Sequence, residues 1–359
     1  MPLQKYLSPK INTLVFDWGN TLMREFPEYQ GSMADWPRIA AMPGAKIALN
    51  KLKDRYRIIL ATNATFSDAD QVRFALRRAG LSEQISSIFT PHQLGARKPD
   101  QAFFRAIESV LGSSPDRMVM VGDDCLADAF GAHRAGWYAI WYNPSFKPSP
   151  GLLPMHDAEL YNLKDLPQVL ENLILPDVET CLAWLEDQGL SMGLSMHVQL
   201  VAALAYQMGL WLRKAGLPVN PLLAQRGGLL HDLAKLSAKR PENHNANQAA
   251  LAAQLLSEGG LPELAEIAQR HQLGDLVDPT LTPRTWEEKL VNLADKLAEG
   301  SRLVTPQERL NDLQERYPND QKLIHDSTSA VQELISEVSG QLNLSPDELL
   351  EKLRTAING

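Results

Sequence analysis

The sequence predicts an α/β domain built on a parallel sheet, followed by an all-α domain. In the first half of the chain, short apolar runs alternate with amphipathic helical patterns, whereas after residue 176 helical periodicity dominates. Between these regions, Asn143–Pro154 contains four prolines, which is typical of an exposed loop. We therefore expect two domains, at residues 1–175 and 176–359, with the core of the helical domain at about residues 190–305.

Four compact apolar runs are the candidate strands of the first domain. They are Thr13–Phe16, Ile58–Ala61, Met118–Val121 and Tyr138–Tyr142. Amphipathic stretches such as Ala69–Ala79 and Gln101–Val110 lie between them, which is the pattern of βαβ units around a buried parallel sheet. Because ligands bind at the carboxyl ends of such strands, polar residues directly after each strand are the candidates for a site.

The second half of the chain has the apolar spacing of successive helices. The predicted helices are Leu194–Lys214, Leu222–Lys235, Ala246–Leu256, Leu261–His271 and Trp286–Leu303, with two more within Asp320–Leu342 and Pro346–Ile357. We expect these helices to pack against one another without a sheet.

Composition narrows the class of protein. The chain is 44% hydrophobic and 22% charged, and its net charge of −8 argues against a generic nucleic-acid-binding surface. Cys125 and Cys181 fall in different domains, which favours a reducing compartment over a disulfide framework. The polar first ten residues do not resemble a signal peptide, and no apolar run reaches the roughly 18 residues of a membrane span. We expect a cytoplasmic protein with no membrane partner.

A set of polar residues follows the strands of the first domain. They are Asp17 in LVFDWGNTL, Thr62 and Asn63 in IILATN, Lys98 in ARKPD, and Asp123, Asp124 and Asp128 in VGDDCLAD. A carboxylate can attack a phosphoryl group, a hydroxyl and an ammonium group can hold its oxygens, and an acidic cluster can hold Mg²⁺. Each residue alone has an ordinary interpretation, such as a surface lysine or a helix cap. Together they predict a phosphoryl-transfer site.

These motifs resemble the haloacid dehalogenase-like (HAD-like) superfamily over about residues 10–175. The resemblance implies a Rossmann-like sheet, with Asp17 as nucleophile and Thr62 and Lys98 as the catalytic groups that hold phosphate. The implied substrate-binding residues of this site are Thr62, Asn63 and Lys98. The implied Mg²⁺ ligands are Asp17, the backbone carbonyl of Gly19, Asp123, Asp124 and Asp128.

One position departs from the pattern of the phosphatases in that superfamily. They carry a second aspartate two residues after the nucleophile, as general acid and base, and this chain has Gly19 there. General acid–base catalysis typically contributes about 10²–10⁴ in rate, so we expect weak phosphatase activity unless another group substitutes, and an aspartate at position 19 would raise it. The domain is then a slow phosphohydrolase, acts on a substrate with a good leaving group, or has kept only a binding function. The relatives that act as dehalogenases also lack this aspartate, but they do not need the metal site.

The chain leaves little room for a cap domain over this site. Only about two dozen residues separate Thr21 from Pro43, and 36 positions separate Thr62 from Lys98. Much of both segments is needed for helices of the fold. We therefore expect a small cap or none, and an open site that admits a larger substrate.

The second domain contains a pattern of histidines and aspartates on predicted helices. They are His197, His231, Asp232, His244, His271 and Asp295. Imidazoles and carboxylates together suit Mn, Fe, Ni, Co or Zn rather than Ca. A lone histidine on a helix is usually structural, but the adjacent His231–Asp232 pair between an upstream histidine and a downstream aspartate indicates a metal site.

This H…HD…D order, within LLHDLAK and LADKL, resembles the HD phosphohydrolase superfamily over about residues 190–305. The resemblance implies His197, His231, Asp232 and Asp295 as ligands of a first metal ion. It implies His244 and His271 as ligands of a second ion, with Asp232 then bridging. Lys235 either contacts a substrate phosphate or interacts with a helix C-terminus, and Lys296 has the same two interpretations.

The pattern as a whole predicts a bifunctional metal-dependent phosphohydrolase. The HD domain would hydrolyse a phosphate ester or phosphoanhydride of a nucleotide-like small molecule, with one or two transition-metal ions that activate water. The HAD-like domain would be a weak Mg²⁺-dependent phosphatase. Two alternatives remain for the HAD-like domain, a ligand-binding or regulatory module and a dehalogenase.

Overall fold

The computed structural model describes residues 10–173, 175–235 and 247–358. These residues form two compact units. The first unit contains residues 10–150 and 155–173, and the second contains residues 151–154 and the described residues from 175 onward. His244, a predicted metal ligand, lies outside the described residues.

The first unit is built on a six-stranded parallel sheet with the order β3-β2-β1-β4-β5-β6. The strands are β1 (Thr13–Phe16), β2 (Arg57–Ala61), β3 (Ser87–Phe89), β4 (Met118–Gly122), β5 (Tyr138–Tyr142) and β6 (Ala158–Leu160). The four predicted strands are confirmed to within a residue. The two strands that the pattern did not predict, β3 and β6, are only three residues long.

Helices cover both faces of this sheet. They are α1 (Ala45–Leu52), α2 (Ala69–Arg78), α3 (Pro91–Leu94), α4 (Gln101–Leu111), α5 (Gly131–Arg134) and α6 (Leu166–Glu171). Every residue of β1 is buried, and its side chains alternate: Leu14 and Phe16 join the core with α1 and α2, whereas Val15 joins the core with α4. Burial on both faces explains why this strand is uniformly apolar.

β1 pairs with β2 on one side and with β4 on the other. The chain order of the strands therefore reverses at the centre of the sheet, and the carboxyl ends of these three strands meet there. In open parallel sheets, ligands bind at this kind of crossing point. The sequence places Asp17, Thr62 and Asp123 directly after β1, β2 and β4.

No cap domain is present among the described residues of this unit. Between β1 and α1, the described chain has a single 3₁₀ turn at Met33–Asp35. Phe26, Tyr29 and Trp36 pack there, with ring centroids 5.6–6.4 Å apart. The expectation of a small cap or none is confirmed.

The second unit is mostly helical. Its helices within the described residues are α7 (Val178–Asp187), α8 (Met192–Lys214), α9 (Pro221–Leu230), α10 (Gln248–Glu258), α11 (Pro262–Gln269), α12 (Trp286–Lys296), α13 (Pro306–Arg316), α14 (Gln321–Gln341) and α15 (Pro346–Asn358). The long helix α8 packs against α9 and α12. A Cβ atom on Gly228 would lie 2.6 Å from the Cα of Ala202, so only glycine allows α9 to approach α8 this closely.

Two predicted helices of this unit are too long, and the one predicted at Leu222–Lys235 ends at Leu230. The predicted helix Trp286–Leu303 ends at Lys296, because an antiparallel hairpin of β7 (Ala298–Glu299) and β8 (Arg302–Leu303) follows it. Gly300 makes this turn possible, since its φ of 57° is a left-handed conformation that favours glycine. Helices α7 and α13 were not predicted. No helix in the described part of the chain is long and apolar enough to cross a membrane.

Candidate functional sites

A buried lysine links the polar residues at the centre of the sheet. Lys98 lies in the loop between α3 and α4, and its Nζ donates to Asp17 Oδ1 at 2.7 Å, to Asp128 Oδ1 at 2.5 Å and to the Ala61 carbonyl at 2.9 Å. Burial alone would lower the pKa of Lys98, but the two carboxylates outweigh this effect and raise it above its ordinary value. Lys98 is therefore a permanent cation beside Asp17.

Three carboxylates converge at the same edge of the sheet. Asp17, Asp123 and Asp128 each offer an oxygen atom, and these atoms lie within 4.8 Å of one another. Burial and the charge of Asp17 raise the pKa of Asp123 to about 6. Burial also raises the pKa of Asp128 to about 7, although Lys98 opposes the shift. Because a divalent cation would stabilise all three ionised forms, this oxygen-only cluster fits Mg²⁺.

Thr21 holds Asp123, and the sequence analysis did not assign it a role. Its hydroxyl donates to Asp123 Oδ1 and accepts from the Asp123 backbone N–H, with both distances 3.1 Å. Thr21 is fully buried, and its place four residues after Asp17 is the sequence signal that could have identified it.

Two predicted site residues have structural contacts. Asp124 Oδ1 accepts from the backbone N–H groups of Leu126 and Ala127 at 2.9 Å, which caps the π-helical segment Cys125–Phe130. The Asn63 side chain bonds the backbone of Lys98 at both ends, donating to its carbonyl at 2.8 Å and accepting from its N–H at 2.9 Å. Asn63 therefore positions the Lys98 loop, and its contact with substrate stays a prediction, as does metal ligation by Asp124.

A glutamate occupies the space beside Gly19. A Cβ atom on Gly19 would lie 2.2 Å from Glu25 Oε1, so the Glu25 carboxylate stands where a side chain at position 19 would begin. Asn20 holds it there: Asn20 Nδ2 donates to Glu25 Oε2 at 2.9 Å, and the Glu25 N–H donates to Asn20 Oδ1 at 3.2 Å. Partial burial and the charge of Asp17 raise the pKa of Glu25. Sequence reasoning missed Glu25 because it does not follow a strand.

These groups line one cavity of about 400 Å³. Its polar wall contains Asp17, Thr62 and Lys98, and the buried Thr62 hydroxyl accepts from the Ala64 N–H at 3.0 Å. The lining also includes the apolar side chains of Met33, Trp36 and Phe66, and the Phe66 side chain is 74% exposed. The cavity thus combines charged groups that suit a phosphoryl group with apolar and aromatic side chains.

In the second unit, the predicted histidines and aspartates lie together. His197 is on α8, His231 and Asp232 follow α9, His271 follows α11, and Asp295 is in the last turn of α12. His197 Nε2 lies 3.1 Å from Asp295 Oδ1, His231 Nε2 lies 3.5 Å from Asp232 Oδ2, and His271 Nε2 lies 3.6 Å from Asp232 Oδ1. Three rings thus direct Nε2 atoms at two carboxylates.

The orientation of two of these rings is set by backbone carbonyls. His231 Nδ1 donates to the Gly228 carbonyl and His271 Nδ1 donates to the Ala268 carbonyl, each at 2.7 Å. A carbonyl can only accept, so Nδ1 carries the proton and the Nε2 lone pair faces the carboxylates. The buried Nε2 atoms of His197 and His231 make no hydrogen bond with the described residues. Imidazoles fixed in this way are typical of metal ligands.

The electrostatics of the cluster favour a cation. Burial lowers the pKa of His231, so the imidazole is neutral and able to coordinate. Burial would raise the pKa of Asp232, but His231 and His271, where they are protonated, and Lys235 outweigh it and hold that pKa well below its usual value. The pKa of Asp295 is also held well below its usual value against burial, chiefly by Lys296. The set of neutral imidazoles and ionised carboxylates fits a transition-metal ion.

Two lysines border this cluster. Lys296 is buried, and its Nζ donates to Asp295 Oδ2 at 2.8 Å and to the His271 carbonyl at 2.7 Å. It therefore positions two of the clustered residues. Lys235 pairs with Asp232 and lines an adjoining cavity, so a contact with substrate stays open for it.

Two family models match this chain. The model of haloacid dehalogenase-like hydrolases matches residues 19–136, and the HD domain model matches residues 194–300. The chain is a haloacid dehalogenase-like domain followed by an HD domain. Asp123, Asp128 and Lys98 lie within the first match, and the clustered histidines and aspartates of the second unit lie within the second.

Curated relatives include two nucleotidases. Pyrimidine 5'-nucleotidase PynA of Streptococcus pneumoniae is 32% identical over 140 residues, which cover 38% of this chain and 57% of that protein. Pyrimidine 5'-nucleotidase YjjG of Escherichia coli is 31% identical over 131 residues, which cover 36% of this chain and 56% of that protein. The chain thus spans little more than half the length of these relatives.

A solved structure of an uncharacterized protein from Listeria monocytogenes serotype 4b is also similar. It is 26% identical with a TM-score of 0.41, and the match covers 45% of this chain and 98% of that chain.

Proposed function

We propose that this protein is a metal-dependent phosphohydrolase with two separate sites. The observation that carries the proposal is the convergence of imidazole Nε2 atoms on Asp232 and Asp295 in the HD domain, beside a cavity lined by cations. The substrate is a phosphate ester or phosphoanhydride. The cytoplasmic location and the domain boundary near residue 176 stay predictions.

In the HD domain, His197, His231, Asp232 and Asp295 would hold the first transition-metal ion. His271 and the predicted ligand His244 would hold a second ion if one binds. The bound metal would supply activated water and polarise the phosphoryl group that the water attacks. Lys296 keeps Asp295 and the segment of His271 in place.

In the HAD-like domain, Asp17 would attack the phosphoryl group. A bond forms between a carboxylate oxygen of Asp17 and phosphorus, and the bond from phosphorus to the leaving oxygen breaks. Lys98 and Thr62 would hold the phosphoryl oxygens. Water then cleaves the phospho-aspartate and releases phosphate. Asp17, Asp123 and Asp128 would hold Mg²⁺, which lowers the repulsion between anionic nucleophile and substrate, with the Gly19 carbonyl as a predicted further ligand.

Glu25 is our candidate for the proton donor of this reaction. This chain lacks the aspartate that phosphatases of the family carry at the position of Gly19. The Glu25 carboxylate occupies the space where a side chain at that position would begin. The raised pKa of Glu25 favours the protonated form that a leaving oxygen requires. The expectation of weak phosphatase activity holds only if no other group substitutes for the missing aspartate, and Glu25 is our candidate for that group.

A nucleotide-like substrate is the best candidate for the HAD-like site. Two curated relatives of this region are named pyrimidine 5'-nucleotidases. The aromatic side chains of Trp36 and Phe66 line the same cavity as Asp17 and Lys98. Aromatic side chains suit stacking against a nucleobase.

Because Gly19 replaces the aspartate of the family's phosphatases, two alternative functions remain for the HAD-like domain. A ligand-binding or regulatory module would bind phosphate without reacting, and a dehalogenase would release halide without added metal. Rapid-quench trapping of a phospho-aspartate at Asp17 supports the phosphatase. Its absence with all substrates, together with phosphate binding, supports the module instead.

The HD proposal is tested by metal analysis and a phosphate-release screen over nucleotides, dinucleotides and sugar phosphates. We expect Asp232→Ala to lose most of its bound metal and its HD-domain activity, because Asp232 faces both His231 and His271. Asp326→Ala is the matched control, since Asp326 also follows a histidine but is exposed on α14. Wild-type metal content in Asp232→Ala would contradict the proposal.

A further inference from the structure

A second cavity adjoins the metal-ligand cluster of the HD domain. It has a volume of about 450 Å³, and its walls include His197 and Lys235. The rest of its cationic wall comes from α13, which contributes Arg309 and Arg316. This helix lies beyond residues 194–300, so the match to the HD family model does not account for it.

Arg309 is buried without a full set of partners. Only 10% of its side chain is exposed, and its Nη1 donates to Asp312 Oδ2 at 2.9 Å. Its Nη2 lies 3.9 Å from Asp295 Oδ1, and its Nε makes no hydrogen bond with any described residue. A buried guanidinium N–H group that lacks an acceptor costs free energy, which an anion in the cavity would recover.

Arg316 lies two turns further along α13 and contacts the same carboxylate oxygen, Asp312 Oδ2. Nitrogen atoms of Arg309 and Arg316 are therefore separated by no more than two hydrogen-bond lengths, or about 6 Å. Adjacent phosphoryl groups of one substrate fit within this spacing. Arg316 is about half exposed, so it is accessible to a ligand that enters the cavity.

The N-terminus of α8 forms another wall of this cavity, through Ser191, Gly193 and Leu194. Ser191 caps the helix by accepting from the Leu194 N–H at 3.2 Å. The first-turn amides have no carbonyl partners within the helix, and they favour anions. A Cβ atom on Gly193 would meet open space, so the backbone is accessible at that position.

The acidic residues of the cavity do not cancel this preference. Asp312 is already shared between Arg309 and Arg316, and Glu299 pairs with Arg302 at 2.7 Å. Because two arginines share one carboxylate, one positive charge of α13 is left unbalanced beside the amides of α8.

We propose that Arg309 and Arg316 form an anion subsite that holds a second phosphoryl group of the substrate, next to the group cleaved at the HD centre. This inference rests on the proposed phosphohydrolase function and specifies its substrate class. The substrate carries at least two linked phosphoryl groups, as a nucleoside diphosphate or a longer phosphate chain does. A simple monophosphate would leave Arg316 unused.

Binding of inorganic pyrophosphate and orthophosphate to the Mn²⁺-loaded full chain tests the subsite by calorimetry. We expect Arg316→Gln to weaken pyrophosphate binding about tenfold, which is the loss of one charge-assisted contact, and to change orthophosphate binding less than twofold. Arg309→Gln should weaken both. Metal content should equal that of the wild type in Arg316→Gln. The control is Arg354→Gln, which removes an equal charge from an exposed pair with Glu351 and should change neither ligand.

The other outcomes of this binding experiment refute either the anion subsite or the proposed phosphohydrolase function. If both arginine variants bind pyrophosphate as the wild type does, the subsite is refuted while the phosphohydrolase proposal stands. If Arg316→Gln weakens both ligands equally, the arginine acts as a general attractive charge, and the subsite is again refuted. If the metal-loaded wild type binds neither ligand and releases phosphate from no substrate, the proposed function itself fails.

Discussion

Replacement of Glu25 by glutamine removes an ionisable proton and keeps the size of the side chain. If Glu25 protonates the leaving oxygen, the variant loses general acid catalysis, which is worth about 10²–10⁴ in rate. We expect the lower part of this range, about 10²-fold in kcat/KM, because Glu25 lies on an exposed loop rather than directly after a buried strand. Alkyl phosphates, whose leaving groups need a proton, should lose the most.

The assay compares an alkyl phosphate with an aryl phosphate under saturating Mg²⁺. Aryl leaving groups depart without protonation, so Glu25→Gln should slow their release only slightly. Glu28→Gln is the matched control, because Glu28 is exposed, lies three residues later and does not line the cavity. Equal losses for both substrates, or no loss for the alkyl phosphate while Asp17→Asn is inactive, would refute the role of Glu25.

The same geometry changes what an aspartate at position 19 would do. Its Cβ atom would collide with Glu25 Oε1, so the glutamate would have to move away before the aspartate could act. We therefore expect Gly19→Asp alone to change turnover less than tenfold, instead of the larger gain that the sequence suggests. The pair Gly19→Asp with Glu25→Ala removes the clash and should restore activity lost in Glu25→Ala. Failure of that rescue would show that the two positions are not equivalent.

Two further predictions concern the charges of the HAD-like site. The pKa of Asp123 is raised to about 6, so a proton competes with Mg²⁺ for this carboxylate below that pH. The apparent affinity for Mg²⁺ should therefore fall about tenfold per pH unit below pH 6. Equal dissociation constants in Mg²⁺ titrations at pH 5 and pH 8 would contradict this prediction. Lys98→Met leaves Asp17 and Asp128 without their buried cation and should lower the free energy of unfolding at pH 8 by about 3 kcal/mol. The loss should be smaller at pH 5, because Asp128, whose pKa is raised to about 7, is protonated there. Urea unfolding at pH 5 and pH 8 measures both losses, and equal losses at the two pH values would refute this explanation.

Local sequence determined the elements that carry most of the site. Asp17, Thr62 and Asp123 could be predicted because each follows a predominantly apolar strand, and such strands are buried in a parallel sheet whose carboxyl ends meet. His231 and Asp232 could be predicted because adjacent ligand types between an upstream histidine and a downstream aspartate are unusual on structural helices. Periodicity failed where the elements are short, as in β3 and the hairpin after α12.

The contacts between polar side chains were decided only by the tertiary structure, even where the residues are close in sequence. Glu25 lies on a loop, and nothing in its own neighbourhood reveals that its carboxylate fills the space that Gly19 leaves. Arg309 is on a polar helix whose pattern is that of an ordinary surface helix, yet packing brings it beside Asp295. Sequence patterns report which residues are buried and which element they form, because burial and backbone periodicity are local properties. They do not report which polar side chains meet, because that depends on how the elements pack.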